Sequence, residues 1–385
     1  MKIYLDGLVF WGLFLLLIII AASLPAWGQT VIEPGAEAVI RCRSCPTPPP
    51  CPQCPACPTP VPIPKPTAAP TPAPTAKPTP VPTPVPTLTP LTCPDGGSTV
   101  TMGAMQTALN AAQANATICV GDGTWRGPLK ISKPVRLMPA PGAKPIIEPG
   151  QTDQGKIWIY ASASGTITKP VIVEGFEIRF GYEGIKSYAS NVVIRNNNIH
   201  HNKFGNVIIS TDTAPVNNVT VQGNDVSWAG YQSDDVLYPG VSAKQAHGIY
   251  FSDFNCRGVT NIYVIANKLH DLGGRAIQGN TEICGSRGKI DGGLISNNDI
   301  WNTSLGMIFW VNVRNILIKD NRVNTYDYPP TNDPEHFCFS FYQSSGNRVE
   351  ANICKVSTLG NAGGGCGNNH YGTWSNIYSN NTCTR

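Results

Sequence analysis

The stretch "NVVIRNNNIH", residues 191–200, returns along the second half of the chain. It recurs as "NVTVQGNDVS" at 218–227, "NIYVIANKLH" at 261–270 and "NILIKDNRVN" at 315–324. Each copy is a short β-rich run, then an Asn, a polar position and one aliphatic residue. The Asn and its aliphatic partner are Asn197 and Ile199, Asn224 and Val226, Asn267 and Leu269, Asn298 and Ile300, and Asn321 and Val323. Degraded copies follow at Asn352 and Asn381. The period varies between 23 and 43 residues. A repeat of this size, with strands and no crossover helices, indicates stacked coils rather than a doubly wound sheet. The expected fold is all-β: a right-handed parallel β-helix with two or three strands per coil and coils about 4.8 Å apart. The Asn residues then stack as a ladder. Each side-chain amide donates to one neighbour and accepts from the other, which satisfies polar groups at a buried corner. The position between Asn and aliphatic residue reads Asp225, Lys268, Asp299, Arg322, so opposite charges alternate up the stack.

Composition agrees. Charged residues make up 14% of the 385, the net charge is +4, and Gly is abundant. No basic tract of the kind that binds nucleic acid is present, and that class is set aside. Residues 1–28 read as a secretory signal, with an apolar run from Leu8 to Ala22 and a small-residue site before Gln29. An uncleaved membrane anchor over residues 8–22 is the alternative. Either way the rest is secreted or displayed at the cell surface. Residues 29–92 hold a Cys-rich hinge and a Pro/Thr-rich spacer. Pro fixes φ and lacks the amide proton, so the spacer is an extended stalk. The hinge cysteines Cys42, Cys45, Cys51, Cys54 and Cys57 are odd in number, which suggests bridges between chains in a homo-oligomer.

Residues 93–385 form the β-helix domain. Its cysteines fall in register. Cys256 lies nine residues after His247 and Cys284 nine after Arg275, its counterpart one coil later. Stacked positions lie within the reach of a disulfide. The expected pairs are Cys256–Cys284, Cys338–Cys366, Cys354–Cys383 and Cys93–Cys119, with buried free thiols as the alternative in the last two coils. "MGAMQTALNAAQA" (102–114) reads as a helix with Met105, Leu109 and Ala112 on one face, placed to cap the first coil.

The run "MQTALNAAQANATICVGDGTWRGPLKISKPVRLMPAPGAKPII" resembles the opening of pectate-lyase-like right-handed β-helix proteins: a capping helix, a strand and a "G-x-W/Y" turn, here Gly123-Thr124-Trp125. The Asn-rich coils and "HGIYFS" are similar to the repeats of that superfamily. The resemblance covers about residues 93–385. It implies the fold and leaves function open, because the superfamily holds lyases, hydrolases, epimerases, adhesins and inactive members.

Aligning the strand after each Asn turn puts Glu183, Phe204, His247, Arg275, Leu305 and His336 in one column. Lys186, Val207, Tyr250, Gln278, Ile308 and Phe339 form the column three residues on. Titratable side chains break an otherwise repetitive scaffold at His247 and Arg275. Two long insertions, 229–246 and 325–335, rise beside them and are expected to wall a groove. Their Tyr231, Tyr238, Tyr326 and Tyr328, joined by Trp310, are candidates to stack on sugar faces. A groove along a β-helix suits a polysaccharide. If the polymer carries uronates, β-elimination needs a cation on the carboxylate and a base for the adjacent proton. Arg275 suits the first role; His247 or Lys244 suits the second. Asp234 and Asp235 are candidate Ca²⁺ ligands.

Two other readings stay open. Paired carboxylates could serve hydrolysis, and "QSDD" with "AHG" resembles elements of polygalacturonase-like hydrolases. The two lie twelve residues apart within one coil, and the Asn-Thr-Asp and Arg-Ile-Lys elements are absent. The third reading is a non-catalytic, displayed glycan-binding or structural β-helix, with His247 a rim residue. His200 and His270 read as exposed turn residues, about 10 Å apart across the intervening coil.

Overall fold

The computed structural model describes residues 98–384 apart from 235, 243–244, 326–336 and 357–374. The expectations placed on the export signal, hinge, stalk and Cys93 lie outside the described residues.

Each full coil gives one strand to each of three parallel sheets. The first sheet has 11 strands, from Ser98–Val100 through Val192–Arg195 to Ile377–Ser379. The second and third merge into one 16-stranded sheet. They merge because Lys268–Asn280 and Asp299–Trp310 run through the bend between them unbroken. This is the parallel β-helix expected from the sequence. Ile199, Val226, Leu269, Ile300 and Val323 are all fully buried in its main core.

The Asn column is a continuous ladder. The Asn197 Nδ2 donates to Asn224 Oδ1 at 3.0 Å, and the same bond links Asn224 to Asn267, Asn267 to Asn298, Asn298 to Asn321, Asn321 to Asn352 and Asn352 to Asn381. Each amide also donates to a main-chain carbonyl of the preceding coil, as Asn267 does to Val221 at 2.9 Å. The sequence-degraded copies at Asn352 and Asn381 are thus full members. The charge column is in register too: Asp225 pairs with Lys268, Lys268 with Asp299 and Asp299 with Arg322.

A 3₁₀ turn (Met102–Ala104) leads into helix α1, Met105–Ala111, which seats Met105 and Leu109 in the core. Gln106 closes the open edge below it. Its amide donates to the Lys130 carbonyl at 3.0 Å and accepts from the Lys130 N–H at 2.8 Å, as a neighbouring strand would. Lys133 donates to the carbonyls of Asn110 and Ala112 at the helix end, the end that favours a cation.

Cys256 and Cys284 are bridged as expected, with Cα atoms 5.3 Å apart. The last coils differ. Cys338 is bridged to Cys354, with Cα atoms 5.9 Å apart, so neither Cys338–Cys366 nor Cys354–Cys383 forms. Cys338 follows Gly184, Asn206, Gly248, Ala276 and Gly306 at the bend, where the side chain turns inward. A Cβ on Gly306 would lie 2.8 Å from the Val323 side chain, and Cys338 Sγ lies 3.5 Å from the Val323 carbonyl. Cys354 is the next residue below Val323 in that column. The small column therefore aims Cys338 across the coil at Cys354. Cys354 does stack on Cys383. Cys119 and Cys383 each take part in a disulfide, and Cys93, the expected partner of Cys119, and the further cysteine Cys366 lie outside the described residues.

Candidate functional site

The outer face of the third sheet carries the candidate residues, because alternate residues of its strands point away from the core. Glu183, Gly205, His247, Arg275, Leu305 and Phe337 form one outward column. Lys186, Ile208, Tyr250, Gln278, Ile308 and Ser340 form the next. Both columns differ by one residue from the sequence alignment at two coils. Gly205 replaces Phe204 and Phe337 replaces His336; Ile208 replaces Val207 and Ser340 replaces Phe339. The count from ladder to face is not constant at the bend: it is eight residues from Asn197 to Gly205 and from Asn267 to Arg275 but seven from Asn298 to Leu305, with register shifts between Leu272 and Arg275 and between Trp301 and Thr303. Each bulge adds or removes one residue between the Asn ladder and the face.

His247 and Arg275 are direct neighbours, as expected. His247 is 5% exposed and its ring stacks on Tyr250 with centroids 4.4 Å apart. Its Nδ1 is buried with no hydrogen-bond partner. Burial and the adjacent Arg275 charge push its pKa down to about 3, so the imidazole is neutral at physiological pH. Burial pushes the Tyr250 hydroxyl up to about 12, so it stays protonated. Arg275 Nη1 donates to Gln278 Oε1 at 3.3 Å, and its guanidinium lies 5.1 Å from the Trp310 ring centroid. Four residues of the expected groove, Lys244, Tyr326, Tyr328 and His336, lie outside the described residues.

The first insertion does not present its tyrosines. Tyr231–Ser233 pairs with Val236–Leu237 in a small hairpin. That hairpin folds toward the N-terminal coils, burying Tyr231 and Tyr238. The Tyr238 hydroxyl donates to the His201 carbonyl at 3.0 Å. These two rings fix the insertion and are not available as sugar platforms. Asp234 contacts His201 Nε2 at 3.1 Å, and Asp235 lies outside the described residues. Among the described residues no group of three or more His, Cys, Asp or Glu side chains is placed to hold a metal ion. Of the two expected Ca²⁺ ligands, only Asp234 lies among the described residues.

His200 and His270 sit one coil below and one coil above Ser227, two coils from each other, as the repeat requires. They are half-buried and engaged rather than exposed. His200 Nδ1 meets His201 Nδ1 at 2.6 Å. His270 lies against Asp225 at 2.8 Å and Asp271 at 2.5 Å, stacked on Trp301. Burial opposes charging His270, but the hydrogen bonds and charges of the two carboxylates outweigh it and raise its pKa. A raised folded-state pKa stabilises the fold fully below the unfolded value, about 6.5, and that contribution fades as pH rises through the folded value. The imidazole signal of His270 should therefore titrate above about 6.5 by NMR. His270→Gln should remove that decline from the melting-temperature profile.

Lys156, Trp158, Tyr160, Tyr188 and Asp212 also belong to this face. "KIWIY" (156–160) carried the signal: Ile157 and Ile159 are buried while Trp158 and Tyr160 point out, the period-two pattern of a strand with one exposed side. Lys156 Nζ lies 2.5 Å from Glu183 Oε2, and Lys186 Nζ lies 3.5 Å from Asp212 Oδ2.

With three parallel sheets, an Asn ladder and an N-terminal capping helix in place, the architecture is decided. The fold is a parallel β-helix. No family model matches the chain, and no curated protein is significantly similar to it. Among solved structures it is similar to an alginate lyase from Paenibacillus sp. str. FPU-7, at 11% identity and a TM-score of 0.39, covering 76% of this chain and 98% of that one. It is also similar to the A-modules of two Azotobacter vinelandii mannuronan C-5 epimerases. For AlgE6 the identity is 13%, the TM-score 0.38 and the coverage 74% and 95%; for AlgE4 they are 14%, 0.36, and 74% and 93%. The assignment of fold rests on the coil geometry itself.

Proposed function

We propose that the chain is an exported protein that binds a uronate-bearing polysaccharide along the outer face of the third sheet and cleaves it by β-elimination. The observation that supports this is the His247–Tyr250–Arg275 group: a guanidinium steadied by Gln278 and Trp310, beside a desolvated neutral imidazole and a protonated phenol. The guanidinium neutralises the uronate carboxylate and stabilises the charge that grows there as the adjacent proton leaves. Neutral His247 is in the form that accepts that proton. A bound carboxylate offsets the Arg275 charge that helps depress its pKa, and so raises its basicity in the complex. The electron pair forms the new carbon–carbon double bond, the glycosidic carbon–oxygen bond breaks, and the Tyr250 hydroxyl, beside His247, would donate the proton to the departing oxygen. The stalk and hinge cysteines would hold cross-linked copies at the surface.

The depth of His247 favours a second reading, glycan binding without turnover, on the same face. One experiment separates the two. The full chain is incubated with uronate polymers and followed at the ultraviolet band of the unsaturated uronate product. The expected result is absorbance growth that His247→Ala reduces by a factor of about 10² or more. Tight binding with no absorbance change would leave the binding reading; neither binding nor absorbance would end both.

A further inference from the structure

The outer face of the third sheet changes character at Arg275. In the coil above, the register places Leu305 over Arg275 and Ile308 over Gln278, and Phe337 follows Leu305. These three side chains point away from the core. They are nonetheless only 4–6% exposed and form an apolar cluster of their own, with Trp310 packed against it. Leu, Ile and Phe side chains neither donate nor accept hydrogen bonds. A sugar pushed into this cluster would lose the hydration of its hydroxyls with nothing to replace it. The Arg275 guanidinium, 5.1 Å from the Trp310 ring centroid, stands at the border.

The coils below carry the rest of the polar face. His247 and Tyr250 lie one coil down, and the Tyr250 column continues through Ile208, Lys186 and Trp158 to Lys130. Ile208 fills the space that a side chain on Gly205 would take, its Cδ1 2.8 Å from that Cβ position, so this coil is thin. Lys130 is exposed and stands five coils from Arg275, about 24 Å at strand spacing. The order of the groups sets the direction of a bound chain. With a uronate carboxylate on Arg275, C-5 and C-4 of that sugar must face the coil of His247 and Tyr250, which take the C-5 proton and protonate the oxygen leaving C-4. C-1 lies across the ring from C-4. It therefore faces Leu305, where the surface offers a further sugar no partner.

We infer that the binding face is closed beyond Arg275, and that the protein removes one uronate at a time from the reducing end of its polymer, releasing an unsaturated monosaccharide. The inference rests on the reading of His247, Tyr250 and Arg275 as the elimination site. In each step the C-5 proton passes to His247 and its electron pair forms the double bond between C-4 and C-5. The bond from C-4 to oxygen breaks, and that oxygen takes the Tyr250 proton and becomes the new reducing-end hydroxyl of the shortened chain. Proton return from His247 to Tyr250 through solvent restores the site. The test digests an oligouronate carrying carbon-13 only in its reducing-end sugar with the full chain, read by ultraviolet absorbance and mass spectrometry. All the label should leave in an unsaturated monosaccharide from the first turnovers. With a long polyuronate, absorbance should grow while viscosity hardly falls. Early di- and trisaccharides with a steep loss of viscosity, or label retained in the longer fragment, would overturn the closed end and leave the elimination reading standing. No absorbance change would overturn both. Leu305→Ala should raise the share of unsaturated disaccharide, and an active variant with an unchanged product set would remove Leu305 as the stop. The labelled digestion by the unmodified protein decides the direction even where that variant does not fold.

Discussion

Arg275→Ala should weaken uronate-polymer binding by about a hundredfold and reduce turnover further still. Truncating one partner of a desolvated charge pair typically costs about 2–5 kcal/mol, and the guanidinium sits half-buried against Trp310 and Gln278. Turnover should fall more than binding because the carboxylate gains charge as the neighbouring proton is removed. A contact that strengthens on the way to the transition state appears in kcat as well as KM. Arg275→Lys keeps the charge but loses the planar fork, and should recover part of the affinity and little of kcat. Added salt should weaken the unmodified protein and leave the alanine variant less affected. Equal kcat in the two proteins would remove Arg275 from the chemistry.

The fold was legible because its rule is repetitive. One Asn with an aliphatic residue two places on marks each coil from Asn197 to Asn321, and the same interaction recurs each time. The His247–Arg275 adjacency followed from that spacing, since both lie between the same landmarks. What failed was whatever depends on the bend. The count from ladder to face is eight residues at Gly205 but seven at Leu305, so Gly205 and not Phe204 joins the column, and the insertion before Phe337 hides the count that puts it there in place of His336. The inward turn of the small-residue column sent Cys338 to Cys354 for a related reason: a bend rotates a side chain off the alternation that a straight strand would give it. Tyr231 and Tyr238 looked like exposed loop aromatics, but an insertion long enough to fold back buries its own large side chains. The Lys156–Glu183 pair joins residues from different coils, and only the register between those coils brings them together. Repetition is readable from one strand at a time; departures from it are set between coils.

That dependence on the ladder gives the largest expected effect on stability, in the variant Asn267→Ala. Asn267 is 1% exposed at the middle of the column. Its Oδ1 accepts from the Asn224 main-chain N–H at 2.9 Å and from the Asn224 amide at 3.0 Å. Its Nδ2 donates to the Val221 carbonyl at 2.9 Å and to Asn298 Oδ1 at 3.0 Å. Alanine deletes all four bonds and leaves buried partners where water has no ready access. At about 1 kcal/mol for each bond, with a further penalty for groups left unsatisfied, the loss is at least about 4 kcal/mol. Asn267→Asp keeps the shape and the acceptor but, as a carboxylate, makes neither donation, so it should be nearly as damaging. Asn381, in the last coil, is half-exposed. There water replaces the amide, and Asn381→Ala should cost about 1 kcal/mol. Because each coil touches only its neighbours, the damage at Asn267 should also be local. Hydrogen exchange should accelerate first at main-chain amides of the coils carrying Asn224 and Asn298, while helix α1 keeps its protection. Equal melting midpoints for Asn267→Ala and Asn381→Ala would show that the ladder follows from coil stacking and does not hold it.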